Sequence, residues 1–160
     1  MKRVDLTQTE LQILDYVASR RFIETSKHGT DRKQDDTRSG WEIVLDGVYG
    51  EYAVAKSLNL LFDLNCDYRK FGADLVSKKG TLIDVKSTRW TDGPLNATGW
   101  SEDKPADIFI LTEIYDSYVL IKGYVDRETF LSKSNKRNGT NGEYFSLPQK
   151  FLKVISAESN

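Results

Sequence analysis

A chain of 160 residues, 39% hydrophobic and 29% charged, has the length and polarity of one ordinary soluble domain with a packed core. Its single cysteine, Cys66, and single histidine, His28, exclude an internal disulfide, a cysteine zinc cluster and zinc hydrolases with several His ligands, along with Ser-His-Asp schemes unless His28 itself serves; any metal must be held mainly by carboxylates, which favour Mg²⁺, Mn²⁺ or Ca²⁺. The net charge of −1 argues against a uniformly basic nucleic-acid binder, no apolar run reaches the length of a membrane span, and MKRVDLTQTE lacks the apolar core of a signal peptide, so the expectation is a cytoplasmic protein with no membrane partner.

Thr7 and Glu10 have the spacing of a capping box, and Leu11, Leu14, Val17, Ala18 and Phe22 follow at helical spacing, which predicts a helix over 8–23. Residues 24–39, ETSKHGTDRKQDDTRS, are polar and without periodicity and read as a flexible loop. His28 falls there and reads as a solvent-exposed side chain in preference to a catalytic one. Lys27, Arg32, Lys33 and Arg38 can touch DNA, diluted by Asp31, Asp35 and Asp36. Ser39 and Glu42 form a second capping box, opening a helix from Gly40 to Leu58. Val44, Val48, Ala55 and Leu58 share one of its faces, and Glu51 completes that stripe. A carboxylate on a buried stripe is costly without a partner, so Glu51 either has one or lies at the edge and reaches water. Gly47 and Gly50 weaken the helix and read as sites of close approach to a neighbour.

Tyr68–Phe71 predicts a first short strand. Phe71–Thr88, FGADLVSKKGTLIDVKST, then contains two apolar runs around Ser77-Lys78-Lys79-Gly80. A three-residue hairpin loop ends well on a left-handed glycine, so Lys78-Lys79-Gly80 is the loop and Ser77 pairs with Thr81. That register puts Asp74 directly opposite Asp84. Opposed like charges destabilise a sheet, and the pair makes sense with a cation between the two carboxylates. Lys86 projects from the same strand face as Asp84. Between Asn65 and Trp90, Arg69, Lys70, Lys78, Lys79, Lys86 and Arg89 outnumber Asp67, Asp74 and Asp84, a local basic patch able to meet phosphate, with a solvated surface as the plain alternative.

Trp90–Lys104 reads as a loop, with Trp90, Leu95 and Trp100 anchoring it to the core or, alternatively, stacking on a base. Ala106–Ile114 predicts a buried central strand and Tyr118–Val125 the next. Asp126 caps a short helix over Arg127–Ser132. Residues 133–142, KSNKRNGTNG, read as a flexible loop carrying Lys133, Lys136 and Arg137, and Tyr144–Leu147 as an edge strand ending at Pro148. Phe151–Ile155 packs back. Nothing marks a linker or repeat, so 1–160 is taken as one domain.

Taken together, Gly47-Val-Tyr-Gly-Glu-Tyr-Ala-Val-Ala-Lys56 on a helix, Gly72-Ala-Asp74 and Ile83-Asp-Val-Lys-Ser87 resemble the PD-(D/E)XK nuclease superfamily, over Ser39–Val125, roughly half the chain. Alanine precedes Asp74 where the motif's name has proline, and residue 84 is aspartate where many members have glutamate. The resemblance implies an α/β (α+β) fold: a restriction-endonuclease-like core with a central mixed β-sheet of about four or five strands flanked by helices. It implies a Mg²⁺-dependent (or Mn²⁺-dependent) DNA endonuclease of restriction, homing or resolvase type. Asp74 and Asp84 would hold the ion, with the Val85 carbonyl as an added ligand. Glu51 would supply a ligand or water-orienting carboxylate, and Lys86 would orient water or stabilise charge at the phosphate. Ser87 would touch phosphate or the ligands, and Arg69, Lys70, Lys78, Lys79, Arg89, Lys133, Lys136 and Arg137 would contact DNA. It further implies a homodimer on duplex DNA and a stand-alone phage or mobile-element enzyme, in that case located in the host cytoplasm. The competing expectation is a catalytically inactive DNA-binding or assembly protein on the same fold.

Overall fold

A computed structural model of the chain describes residues 1–28, 38–68 and 72–155. Both predicted capping boxes are present. Thr7 Oγ1 accepts from Glu10 N while Glu10 Oε2 accepts from Thr7 N, opening helix α1 (Gln8–Lys27). Ser39 and Glu42 do the same for α2 (Gly40–Leu58). Helix α1 continues past the expected end at Ile23, because the polar residues that read as loop pair along the helix: Glu24 Oε1 meets Lys27 Nζ at 2.8 Å and Arg20 Nη2 at 3.5 Å. The middle of the expected loop 24–39, residues 29–37, lies outside the described residues. So do Arg69 and Lys70, and the strand predicted over Tyr68–Phe71 is absent at Tyr68, its one described position.

The protein is an α/β (α+β) structure built on a mixed sheet of five strands, β1 (Lys2–Asp5), β2 (Leu75–Val76), β3 (Leu82–Thr88), β5 (Ile108–Ile114) and β6 (Tyr118–Asp126), in the order β1-β6-β5-β3-β2. Strands β3 and β5 are parallel and the other pairs antiparallel. The predicted central strand is β5. Its dense run of β-formers is buried from Phe109 to Ile114 because both its faces are covered. Strand β1 was not expected; its short KRVD run pairs with β6 through Val4↔Val119 and buries Val4, and Leu6 is buried just after it.

A second sheet, β4-β8-β7, holds three antiparallel strands: β4 (Leu95–Thr98), β7 (Lys136–Gly139) and β8 (Gly142–Leu147). Two expectations are corrected by it. Trp90–Lys104 is not one loop, since it contains β4 and a 3-10 turn over Gly99–Asp103, with Leu95 fully buried as an anchor and Trp90 66% exposed. Residues 133–142 form a 3-10 turn and a hairpin closed at Gly139↔Gly142, with Gly142 at φ 106°, so Tyr144–Leu147 lies in a strand paired on both sides and not at an edge. Asp126 caps α3 (Arg127–Phe130), which stops short of the expected Ser132. Lys153 bridges to Tyr124, so the C-terminal segment does pack back.

The large sheet separates two cores. On one side α1 and α2 contribute Leu14, Val17, Ala18, Val48 and Val54 against Ile83, Val85, Ile110, Val119 and Ile121. On the other, Phe109, Leu111 and Val125 meet Leu95, Phe130, Phe145 and Leu147 from the small sheet and α3. The two long helices therefore share one face. A bulge shifts the β5–β6 register between Leu111 and Thr112, and the face that β6 buries changes with it, from Ile121 on the helix side to Val125 on the other. Among the described residues, no helix is long and apolar enough to cross a membrane.

Candidate active site

The hairpin around residues 74–88 forms in the register read from its turn. Gly80 takes φ 85°, its N–H donates to Ser77 O at 2.9 Å, and Ser77 N donates to Thr81 O at 2.9 Å. Strand pairing runs Val76↔Leu82 and Leu75↔Ile83, so one further step places Asp74 opposite Asp84. Asp74 stands just before β2 and is fixed twice by β3. Its N–H donates to Ile83 O at 3.0 Å, and its Oδ2 accepts from Val85 N–H at 2.7 Å. Val85 sends its side chain into the helix-side core.

Asp84 is fully buried and holds two ammonium groups. Lys86 Nζ lies 2.5 Å from Oδ2 and Lys104 Nζ 3.1 Å from Oδ1. The Oδ2 contact is ionic without hydrogen-bond geometry. Glu51 comes from α2, beside Gly50. A methyl group at Gly50 would stand 2.5 Å from Thr112 Oγ1 and closer still to Ser87 Oγ, so glycine is what lets this turn of α2 lie on β3 and β5. Gly47 faces open space and has no such role. Glu51 does have the partner its stripe position demanded: Arg21 Nη1 donates to Oε2 at 2.7 Å while Arg21 Nη2 donates to Asp63 O at 2.8 Å.

Arg21, Glu51, Asp74 and Lys104, with Trp100, Cys66 and Tyr68, line a cavity of about 190 Å³; Asp84 lies off its lining and is joined to it through Lys104. His28 is exposed, as expected, and stacks on Tyr68 with ring centroids 4.0 Å apart. The acids act on one another. Burial, then the negative charges of Asp84 and Glu51, push the Asp74 carboxyl up to about 7. Burial also raises Glu51, although Arg21 opposes it. Burial works in the same direction on Asp84, but Lys86 and Lys104 outweigh it and hold that carboxyl below the usual range. Three acids (Glu51, Asp74, Asp84) and three cations (Arg21, Lys86, Lys104) are thus gathered into one cluster.

The other expected contact residues are dispersed. Lys78 and Lys79 are exposed at the hairpin tip. Ser87 Oγ shares a hydrogen bond of 2.9 Å with Thr112 Oγ1 beneath Gly50. Arg89 is turned into an ion pair with buried Asp46, at 2.8 Å from Nη2. Lys133 is exposed, Lys136 pairs with Glu143 at 3.0 Å, and Arg137 Nη1 donates to Ser134 O at 2.7 Å. Sequence reasoning missed Arg21 and Lys104. Arg21 had a readable signal, since it continues the buried stripe of Leu14, Val17 and Ala18, as Glu51 does on α2. Lys104 had none: it precedes β5 in a segment whose position only the tertiary structure supplies.

An oxygen-only donor set of carboxylates suits a hard divalent cation. Asp74 has one backbone donor on its carboxylate and a pKa raised by burial and then by the neighbouring acids, and a cation beside it would oppose that rise. In the arrangement seen, among the described residues, no three His, Cys, Asp or Glu side chains are gathered closely enough to hold an ion together. No protein-family model matches the chain, and no curated protein matches it.

Proposed function

We propose that this protein is a Mg²⁺-dependent DNA endonuclease on a restriction-endonuclease-like core, with Glu51, Asp74, Asp84 and Lys86 as its working residues. The observation that carries the reading is the meeting of acids from three separate elements, α2, the residue before β2, and β3, whose charges perturb one another and two of which line one cavity. Structural ion pairs are common, but three acids brought together by unlike elements are costly to bury and call for a reason.

Asp74 and Asp84 would hold the ion, with Glu51 from the helix side. The bound ion would supply charge neutralisation at the phosphate and a water of lowered pKa. The chain's own part is positional. Asp74 is fixed by Val85 N–H on one oxygen, leaving the other for the site. Lys86, with 22% of its side chain exposed, can turn from Asp84 toward an incoming phosphate. The exposed Lys78, Lys79 and Lys133 supply positive charge for the DNA backbone. A homodimer acting on duplex DNA belongs to this reading.

The test is cleavage of plasmid, linear duplex, single-stranded and four-way-junction DNA with Mg²⁺ or Mn²⁺, beside Asp74→Ala and Lys86→Ala. Wild-type protein should cut at least one form, and each variant should lose cleavage by roughly a hundredfold or more while keeping its circular-dichroism spectrum. Full activity in either variant removes the assignment. The Arg21–Glu51 pair, which ties up one acid, favours a second reading, a DNA-binding protein without catalysis. Binding of DNA with no metal uptake and no cleavage of any form would select it.

A further inference from the structure

We propose that Lys104 is the resident counter-ion of this acidic site: its ammonium stands where a divalent cation would, and it must leave Asp84 for that cation to enter. The inference rests on the metal-dependent reading above, and concerns a residue outside the motif that prompted it.

Lys104 differs from the other two cations of the site in three ways. First, it is the lysine on the cavity wall that Glu51 and Asp74 also line, and its Nζ sits 3.1 Å from Asp84 Oδ1. Lys86 reaches Asp84 from the other oxygen, and Arg21 is committed to Glu51 and to Asp63 O at once.

Second, the backbone of Lys104 is clamped while its side chain is a flexible arm. Arg127 Nη1 donates to Lys104 O at 2.5 Å and to Ala106 O at 3.0 Å, Arg127 Nη2 donates to Glu102 O, and Lys104 N–H donates to Ser101 O at 3.2 Å. Four carbons separate this fixed point from a compact, rotatable charge. The ammonium can therefore change partners with no change in the fold.

Third, a second resting place is already in reach. The Trp100 ring, on the same cavity wall, has its centroid 5.3 Å from Nζ, within the range in which an indole face attracts a cation. Lys104 thus has an acidic seat and an aromatic one. A divalent ion outcompetes it at the first through its doubled charge, and the vacated ammonium is left beside the cavity where substrate phosphate would lie.

Manganese binding without DNA tests this, read by the electron paramagnetic resonance signal of free Mn²⁺. Replacing Lys104 removes one positive charge within a few ångström of the ion, so Lys104→Met and Lys104→Gln should bind Mn²⁺ about tenfold more tightly than wild type. Lys153→Met makes the same change of net charge at a surface pair with Asp126 and should bind as wild type does. A second readout needs no variant: acetic-anhydride labelling of Lys104 in wild-type protein, followed by mass spectrometry, should rise severalfold on saturation with Mn²⁺. Unchanged or weaker Mn²⁺ binding in both Lys104 variants, or labelling of Lys104 that does not rise in metal-bound wild type, overturns the role of Lys104 and leaves the metal site standing. No Mn²⁺ uptake by wild type or by the variants overturns the metal-dependent reading and this inference together.

Discussion

Helix α2 carries two acids into the interior, Asp46 and Glu51, and the protein treats their surroundings in opposite ways. Asp46, 1% exposed, is saturated. Arg89 donates from Nε to both oxygens at 3.0 Å and from Nη2 to Oδ1 at 2.8 Å, and Arg38 Nη2 adds a further bond to Oδ2. Since Arg89 directly follows β3 and Arg38 directly precedes the α2 cap, this cluster is a rivet between helix and sheet. Five residues on, Glu51 has a single guanidinium, Asp74 accepts one backbone N–H on its carboxylate, and Asp84 keeps an oxygen in ionic contact without a hydrogen bond. A carboxylate offers about four acceptor positions. Burial of an acid is compatible with a purely structural role, and unused acceptor capacity is what sets the second group apart.

The largest expected effect should come from the saturated side. Asp46→Ala leaves two guanidinium groups without their acid and should cost about 3–4 kcal/mol in urea denaturation, somewhat discounted because Arg89 is part-exposed. A loss below about 1 kcal/mol would break the contrast, since Asp46 would then be no rivet.

Gly50→Ala comes next. The added methyl group would collide with Ser87 and Thr112 and should cost about 2–3 kcal/mol while shifting Glu51. Gly47→Ala, in open space on the same helix, should be neutral or stabilise by about 0.5–1 kcal/mol, so equal costs at the two glycines would refute the close approach.

The smallest effect, and the one that most sharpens the comparison, is at Asp74. Its folded carboxyl titrates near 7, above the ordinary value of about 4 in the unfolded chain. Folding then favours the protonated form. Its contribution is whole below about pH 4, declines as pH rises and is lost above about pH 7. Asp74→Asn should therefore match wild type near pH 4 and exceed it at pH 8 without divalent ions by about 1–2 kcal/mol, the full shift of about 4 kcal/mol being discounted because Asp74 is part-exposed. Thermal melts across that range in chelator check it, and a variant less stable than wild type at pH 8 would mean that Asp74 is not strained by its neighbours.

Much of the scaffold was legible because its signals are local. The capping boxes at Thr7 and Ser39, the glycine ending the hairpin loop and the apolar run of β5 each act within a few residues. Strand β1 was hidden because four residues of KRVD carry little β signal and gain their order from β6. Strands β4 and β7 were hidden because polar and glycine-rich segments read as loop; the Asn141-Gly142 step, a hairpin signal in itself, was outweighed by the lysines and asparagines around it. At the site, the acids and Lys86 were legible, and the other two counter-charges were not. Arg21 lies 30 residues from Glu51 and Lys104 lies 20 from Asp84, so those pairings exist only after the chain has folded.

The way the large sheet stops at its sides bears on how the protein behaves when concentrated. Among the described residues one outer strand, β2, is two residues long and runs into a turn bearing Lys78 and Lys79; the other, β1, exposes Lys2, Arg3 and Asp5. Short, charged borders give an incoming strand few backbone groups to zip onto and no apolar row to cover. Growth of the sheet from molecule to molecule is thereby discouraged, and two copies that associate will do so through loops, helices or the small sheet, leaving the β-ladder of each intact.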